Sequence, residues 1–199
     1  MTAGKVKSDE QPVTGWLVAL GSNLPSAAGG GEATLRAALA ALGDGAPVRV
    51  GAVSRFYRSP AFPPGAGPDF VNAAARLHTA LPPAALLAHL HAVEAALGRR
   101  RTRRWEARVI DLDLLACDRL ILPDRETLRR WMNLSERQRI RETPETLILP
   151  HPRLQERAFV LLPLCDIAPG WVHPVLGRSV EQMAAALDPG ARAEVVPLG

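Results

Sequence analysis

Cysteine is nearly absent: Cys117 and Cys165 are the only two in 199 residues. That is too few for a disulfide framework and gives no metal-ligand spacing, so both read as ordinary buried or half-buried thiols. No run of about 18 apolar residues exists that could form a membrane-spanning helix. The polar start, Met1 to Gln11, lacks the apolar stretch of a secretory signal, and the expected location is the cytoplasm. Aromatics make up only 5% of the chain, with no cluster in the pattern of an RNA-recognition motif. No internal repeat is found. What remains, 199 residues at 47% hydrophobic, fits one domain with a real core.

The net charge of +4 comes mainly from arginine, concentrated between Arg99 and Arg108 and again between Arg125 and Arg141. Such a field attracts nucleic acid, polyphosphate ligands and acidic metabolites alike, so position along the chain has to decide.

Residues 1–13 read as a disordered tail, and 14–199 as a single domain. Trp16 to Leu20 (WLVAL) predicts a buried strand stopped by Gly21-Ser22-Asn23. Glu32 to Leu42 carries Leu35, Leu39 and Leu42 at helical spacing. Val48 to Arg58 is rich in β-branched and aromatic residues, followed by an irregular Pro/Gly loop. Phe70 to Thr79 alternates, which sets Phe70 and Asn72 on one face and Val71, Ala73, Ala75 and Leu77 on the other. Pro82-Pro83 opens a helix through Leu97 with Leu86, Leu90, Val93 and Leu97 as its stripe. Val109 to Cys117 alternates as a strand. Pro123 to Glu142 predicts a charged helical insertion, Leu147 to Leu149 and Phe159 to Leu164 are short apolar runs, and Val180 to Leu187 predicts a last helix. The order β-α-β-β-α-β implies an α+β, ferredoxin-like fold: a largely antiparallel sheet with helices packed on it.

Within the strand at Val109, Asp111 and Asp113 share a face because the period is two, and two like charges there call for a counterion. Mg²⁺ takes one or two carboxylates together with phosphate oxygens and water, which suits a metal–nucleotide site. An ordinary acidic strand edge is the alternative. Just before this pair, Gly98 to Arg108 (GRRRTRRWEAR) offers a fork of guanidinium groups fit for a triphosphate, with Trp105 as an anchor of a closing flap; a solvated basic loop or an RNA-contacting patch is the alternative. Phe70 and Asn72 offer a stacking plate and a bidentate amide for a flat heterocycle, with Phe159 as a second plate, although each phenylalanine alone is more often core. His151, between two prolines, is either a structural histidine or a phosphate or ribose contact.

These residues fall in a series that resembles 6-hydroxymethyl-7,8-dihydropterin pyrophosphokinases from about Trp16 to about Val180. It runs through ALGSNL (Ala19 to Leu24), SRFYRSPAF and GPDFVNAA, VEAALGR, RRWEARVIDLDLL, LPHPRLQERAFVLLPL and IAP. The resemblance implies that Asp111 and Asp113 hold two Mg²⁺ ions on ATP. It also implies that Phe70 and Phe159 sandwich the pterin, that Asn72 reads its edge, and that Ser59, Pro60 and Phe62 belong to a segment offering it backbone hydrogen bonds. Arg99, Arg101, Arg104, Trp105 and Arg108 match phosphate-binding and lid-closing positions. Leu87, His91, Glu94, Leu114, His151 and Arg157 match nucleotide- or substrate-contacting ones. Two departures are His91, where some members have glutamine, and the 123–142 insertion.

The implied reaction is in-line attack by the pterin hydroxymethyl oxygen on the β-phosphorus of ATP, with AMP leaving. The implied partners are the two small substrates, with no nucleic acid, no membrane and a monomeric protein. A nucleotidyltransferase would also combine a Gly-Ser turn with an Asp-x-Asp pair, but there the motifs lie close together, whereas Gly21-Ser22 and Asp111 are far apart. An RNA-binding module would leave the Asp pair repelling phosphates.

Overall fold

The computed structural model describes residues 14–45, 47–61, 67–99 and 108–199. β1 (Thr14–Ser22) is the inner strand of an antiparallel sheet. Trp16 to Leu20 are all buried because both faces are covered, which is why this stretch is a continuous apolar run rather than an alternating one. Here α1 spans Gly31–Gly43, β2 Val48–Val53, β3 Tyr57–Ser59, β4 Phe70–Thr79, α2 Pro83–Ala96 and β5 Asp111–Cys117. β1 pairs with β4 on one edge and β5 on the other, while β2 and β3 line the far edge of β4 in succession. The spatial order β5-β1-β4-β3, with β2 beside β4, is the expected ferredoxin-like plan.

The β-rich stretch from Val48 to Arg58 is two strands rather than one, and Ser54 is the reason. Its backbone N–H donates to Ala74 O at 2.9 Å, and its own Oγ accepts the Ala74 N–H at 2.9 Å in place of a main-chain carbonyl. The ladder is satisfied across the break, so the chain can bend without leaving a buried donor unpaired.

Alternation sorts the sheet into two cores. Val18, Leu20, Ala73, Ala75, Leu77, Leu112 and Leu114 meet Leu35 and Leu42 of α1 and Leu86, Leu90 and Val93 of α2. Each fully buried leucine contributes roughly 1.5–3 kcal/mol of apolar transfer. In β5 the register slips opposite Leu17 and Val18, so Leu115 is an extra residue. Its carbonyl accepts the His151 N–H at 2.7 Å.

The 123–142 stretch holds two helices: α3 (Arg125–Met132), capped by Asp124, and α4 (Glu136–Arg141), opened by a Ser135–Gln138 capping box. Reciprocal backbone hydrogen bonds between Leu122 and Leu149, 2.9 and 3.0 Å, close the excursion at its base. Beyond it the apolar run from Phe159 lies in α5 (Ala158–Ile167). This helix crosses the second sheet face with α6 (Val180–Ala185), which is shorter than the Val180–Leu187 expected, and buries Leu17, Ala19 and Ala74 beneath Val160, Leu161 and Leu164. α7 (Pro189–Ala193) leads to β6 (Val196–Pro197), which pairs with β3. Both cysteines are free, Cys117 buried and Cys165 half-buried. Among the described residues no helix is long and apolar enough to cross a membrane.

Candidate active site

One row across the sheet organises the site. Gly21 on β1 pairs with Asn72 on β4 and with Asp111 on β5, and two residues along, Ala19 pairs with Ala74 and with Asp113. Residues opposite one another share a face, so the acid pair and the amide stand on the same side, separated by a strand bearing only Gly21 and Ala19. Two strand spacings put Asn72 and Asp111 about 10 Å apart. A Cβ on Gly21 would lie 3.4 Å from Asn72 Oδ1 and 3.9 Å from the Phe70 ring. Glycine therefore keeps the floor of this trough open. α5 covers the rest of the same face, and Arg157, at its N-terminal end, reaches Asp113.

On the amide side the Nδ2 of the buried Asn72 donates to Ser59 Oγ at 2.9 Å, fixing the amide plane. Its Oδ1 and second N–H are the pair that can read a donor–acceptor edge. Phe70 pairs with Ser59 and is half-buried. Phe159 is exposed, with the Arg157 guanidinium 5.6 Å from its ring centroid. Pro60 is exposed beside Ser59.

On the acid side Arg99 Nη1 lies 2.6 Å from Asp111 Oδ1 and also pairs with Glu94, Arg108 pairs with Asp111 Oδ2, and Arg157 Nη1 is 3.5 Å from Asp113 Oδ2. Glu94 is almost wholly buried and accepts the Leu112 N–H at 2.8 Å. It holds the β5 backbone between the two aspartates and offers its carboxylate to the protein, not to an open surface. Leu87 and His91 are half-buried on the same face of α2, while Leu114 is packed in the core under the helices.

His151 follows the cis Leu149–Pro150 peptide. Its Nδ1 accepts the Arg153 N–H at 3.2 Å, which puts the ring proton on Nε2. Burial, then the charges of Arg157 and Arg153, push its pKa down to about 3 against a smaller opposing pull from Asp111. At neutral pH it is an uncharged N–H donor. Phe62, Arg101, Arg104 and Trp105 lie outside the described residues.

Sequence reasoning found the acid pair and the aromatic–amide strand but gave no role to the turn between them. Asn23, 7% exposed, accepts the Arg108 N–H on Oδ1 at 2.8 Å and donates from Nδ2 to Pro68 O at 3.2 Å. The available signal is Gly21-Ser22-Asn23 itself, which reads as a strand stop and as part of ALGSNL, with no role attached to Asn23 in either. A second network missed by the sequence is Arg55–Tyr57–Asp166. Tyr57 Oη donates to Asp166 at 3.0 Å and accepts from Arg55 at 2.8 Å, tying β3 to α5 beside Asn72. Burial, reinforced by Asp166, pushes the Tyr57 pKa up to about 12.

Known proteins resemble this chain over most of its length. Residues 17–169 match the family described as 7,8-dihydro-6-hydroxymethylpterin-pyrophosphokinase. A 2-amino-4-hydroxy-6-hydroxymethyldihydropteridine pyrophosphokinase of Synechocystis sp. is 36% identical over 94% of this chain and 83% of its own length. One of Methylorubrum extorquens is 39% identical over 85% of this chain and 91% of its own. Among solved structures, wild-type Plasmodium falciparum HPPK-DHPS superposes with a TM-score of 0.63 at 14% identity, which speaks to the fold alone. That alignment covers 89% of this chain, which spans 42% of the Plasmodium one. The chain belongs to the 7,8-dihydro-6-hydroxymethylpterin-pyrophosphokinase family.

Proposed function

We propose that the row Asp111–Gly21–Asn72 sets the two substrates side by side for pyrophosphate transfer, the metal–nucleotide on the acid side and the pterin on the amide side. The activity follows from the family: ATP gives its β,γ-diphosphate to 6-hydroxymethyl-7,8-dihydropterin, yielding AMP and the pterin diphosphate in folate biosynthesis. The observation that carries the assignment of sides is the register that puts Asp111 and Asn72 on one face with only Gly21 between them.

The donor set fits magnesium held largely by its substrate. Among the described residues no cluster of three or more His, Cys, Asp or Glu could hold a metal alone, so two carboxylates leave the remaining positions to phosphate oxygens and water. Asp111 and Asp113 would hold two Mg²⁺ ions, whose positive charge would offset the charge that develops on the transferred group. Arg99, Arg108 and Arg157 already stand around the pair as counter-charges and can turn to phosphate oxygens. Asn72 and Ser59 orient the pterin edge while Phe70 and Phe159 hold its faces, so that the hydroxymethyl oxygen points across Gly21 toward the β-phosphorus. Neutral His151 supplies one N–H. Among the described residues no strong base besides the metal-side aspartates stands in the trough, and positioning supplies most of the acceleration. Arg101, Arg104 and Trp105 belong to the same reading as phosphate and closure residues, and Pro60 and Phe62 as pterin neighbours. Leu87 and His91 belong to it as the nucleotide-side wall, while Glu94 and Leu114, buried behind them, support that wall without touching the nucleotide. The same reading takes the protein as monomeric and cytoplasmic and 14–199 as a single domain; the one continuous sheet and the hydrogen-bonded base of the 123–142 excursion support the single domain.

The test is to incubate the protein with ATP, Mg²⁺ and 6-hydroxymethyl-7,8-dihydropterin and resolve the nucleotides by chromatography. AMP formed only with pterin and lost in Asp111→Ala is the expected result; ADP or pyrophosphate as product would overturn the proposal.

A further inference from the structure

We infer that Asn23 is a positioning residue that couples the two subsites, so that filling one tightens the other. The inference rests on the assignment of sides given above. Asn23 sits just past the end of β1, where three chain segments meet. Its backbone N–H and that of Leu24 donate to Arg108 O at 3.1 and 3.3 Å, and its Oδ1 accepts the Arg108 N–H. Arg108 precedes Asp111 by three residues and pairs with it. From the same amide, Nδ2 donates to Pro68 O, two residues before Phe70. The neighbouring Gly67 is so close that a Cβ there would lie 3.4 Å from Nδ2.

One planar amide thus holds the approach to the metal strand with its oxygen and the approach to the pterin strand with its nitrogen. The two atoms are rigidly joined, so displacing Arg108 toward a phosphate rotates or shifts the group that fixes Pro68. Asparagine places its acceptor and its donor on two separate atoms, which a serine or threonine hydroxyl, with a single oxygen, cannot do. Aspartate keeps the acceptor for the Arg108 N–H and presents an oxygen, with no donor, to Pro68 O. The two backbone bonds to Arg108 O survive either change, so the turn stays docked.

The experiment measures the affinity of 6-hydroxymethylpterin by calorimetry, with and without saturating Mg²⁺ and α,β-methylene-ATP, in the full chain. Wild type, Asn23→Ala, Asn23→Asp and Asn72→Ala are compared. In wild type the nucleotide analogue tightens pterin binding at least tenfold, within the roughly 5–150-fold range of ordinary site coupling. Asn23→Ala brings that enhancement to within about twofold of none, a change that a general loss of stability would not produce. Asn23→Asp weakens pterin binding about tenfold while nucleotide affinity measured alone stays within about twofold. No enhancement in wild type, full enhancement in Asn23→Ala, or equal loss of both affinities in Asn23→Asp would each overturn the inference. If Asn72→Ala leaves pterin affinity unchanged, the assignment of sides is wrong and the inference falls with it. If Asn72→Ala weakens pterin binding while Asn23→Ala retains coupling, only the role of Asn23 fails.

Discussion

Glu94 on α2 accepts the backbone N–H of Leu112 at 2.8 Å, so a buried carboxylate governs how β5 presents the aspartates on either side of Leu112. The same carboxylate pairs with Arg99, which reaches Asp111. Removing one partner of a buried pair strands the other, at a cost of about 3–5 kcal/mol. Glu94→Ala is therefore expected to lose about 3 kcal/mol in urea unfolding and to bind Mg²⁺–ATP weakly. Glu94→Gln keeps an acceptor for Leu112 and should recover most of the stability. Equal stability of wild type and Glu94→Ala would contradict this role.

Gly21 is the floor between the subsites. Its backbone needs no left-handed conformation, so Gly21→Ala should fold with a stability change below about 1 kcal/mol. The added methyl lies against Asn72 and Phe70, and pterin KM should rise about tenfold, which is about 1.4 kcal/mol of binding. An unchanged KM would mean that the pterin does not cross this residue.

Tyr57 is the only tyrosine in the chain, so its ionisation can be read directly by absorbance at 295 nm. Burial and Asp166 keep the phenol neutral in the folded protein, with a pKa pushed up to about 12. The stabilisation is complete below the unfolded value of about 10 and is lost as pH rises toward 12. The phenolate signal should appear near pH 12, or earlier only together with unfolding. A reversible midpoint near 10 in the folded protein would show that the Arg55–Tyr57–Asp166 network does not persist in solution.

How much of this was readable beforehand depended on the range of the interaction. Period-two alternation carried Asp111 with Asp113 and Phe70 with Asn72 onto shared faces, since alternation is local. That Asp111 and Asn72 flank Gly21 depends on the register of β1 with two strands far along the chain, Gly21 with Asn72 and Gly21 with Asp111, and spacing along the chain does not encode register. Ser54 reads as one more β residue until its hydroxyl is seen replacing a carbonyl opposite Ala74. Asn23 reads as a turn former, and its two bonds are to backbone groups at Pro68 and Arg108, which leave no side-chain pattern.

His173 illustrates burial in the same way. It is fully buried, with Nδ1 accepting the N–H groups of Val175 and Leu176 at 3.2 and 3.3 Å, and burial pushes its pKa down to about 4. The folded state keeps it neutral, so its stabilising share is intact above the unfolded pKa of about 6.5 and is lost as pH falls toward 4. Melting temperature should drop through that window, and His173→Asn, which keeps an acceptor but cannot titrate, should flatten the slope. A slope unchanged in the variant would assign the acid loss to other groups.

The central claim, that metal and pterin occupy opposite ends of the Asp111–Gly21–Asn72 row, is tested most directly by paramagnetic relaxation. Mn²⁺ replaces Mg²⁺ in a complex with α,β-methylene-ATP, and the protons of bound 6-hydroxymethylpterin are observed by NMR. The account predicts strong relaxation, for a separation on the order of two strand spacings or about 10 Å, abolished in the Asp111→Asn, Asp113→Asn double variant. Pterin bound with no metal-dependent relaxation, or relaxation that persists without the two carboxylates, would contradict it.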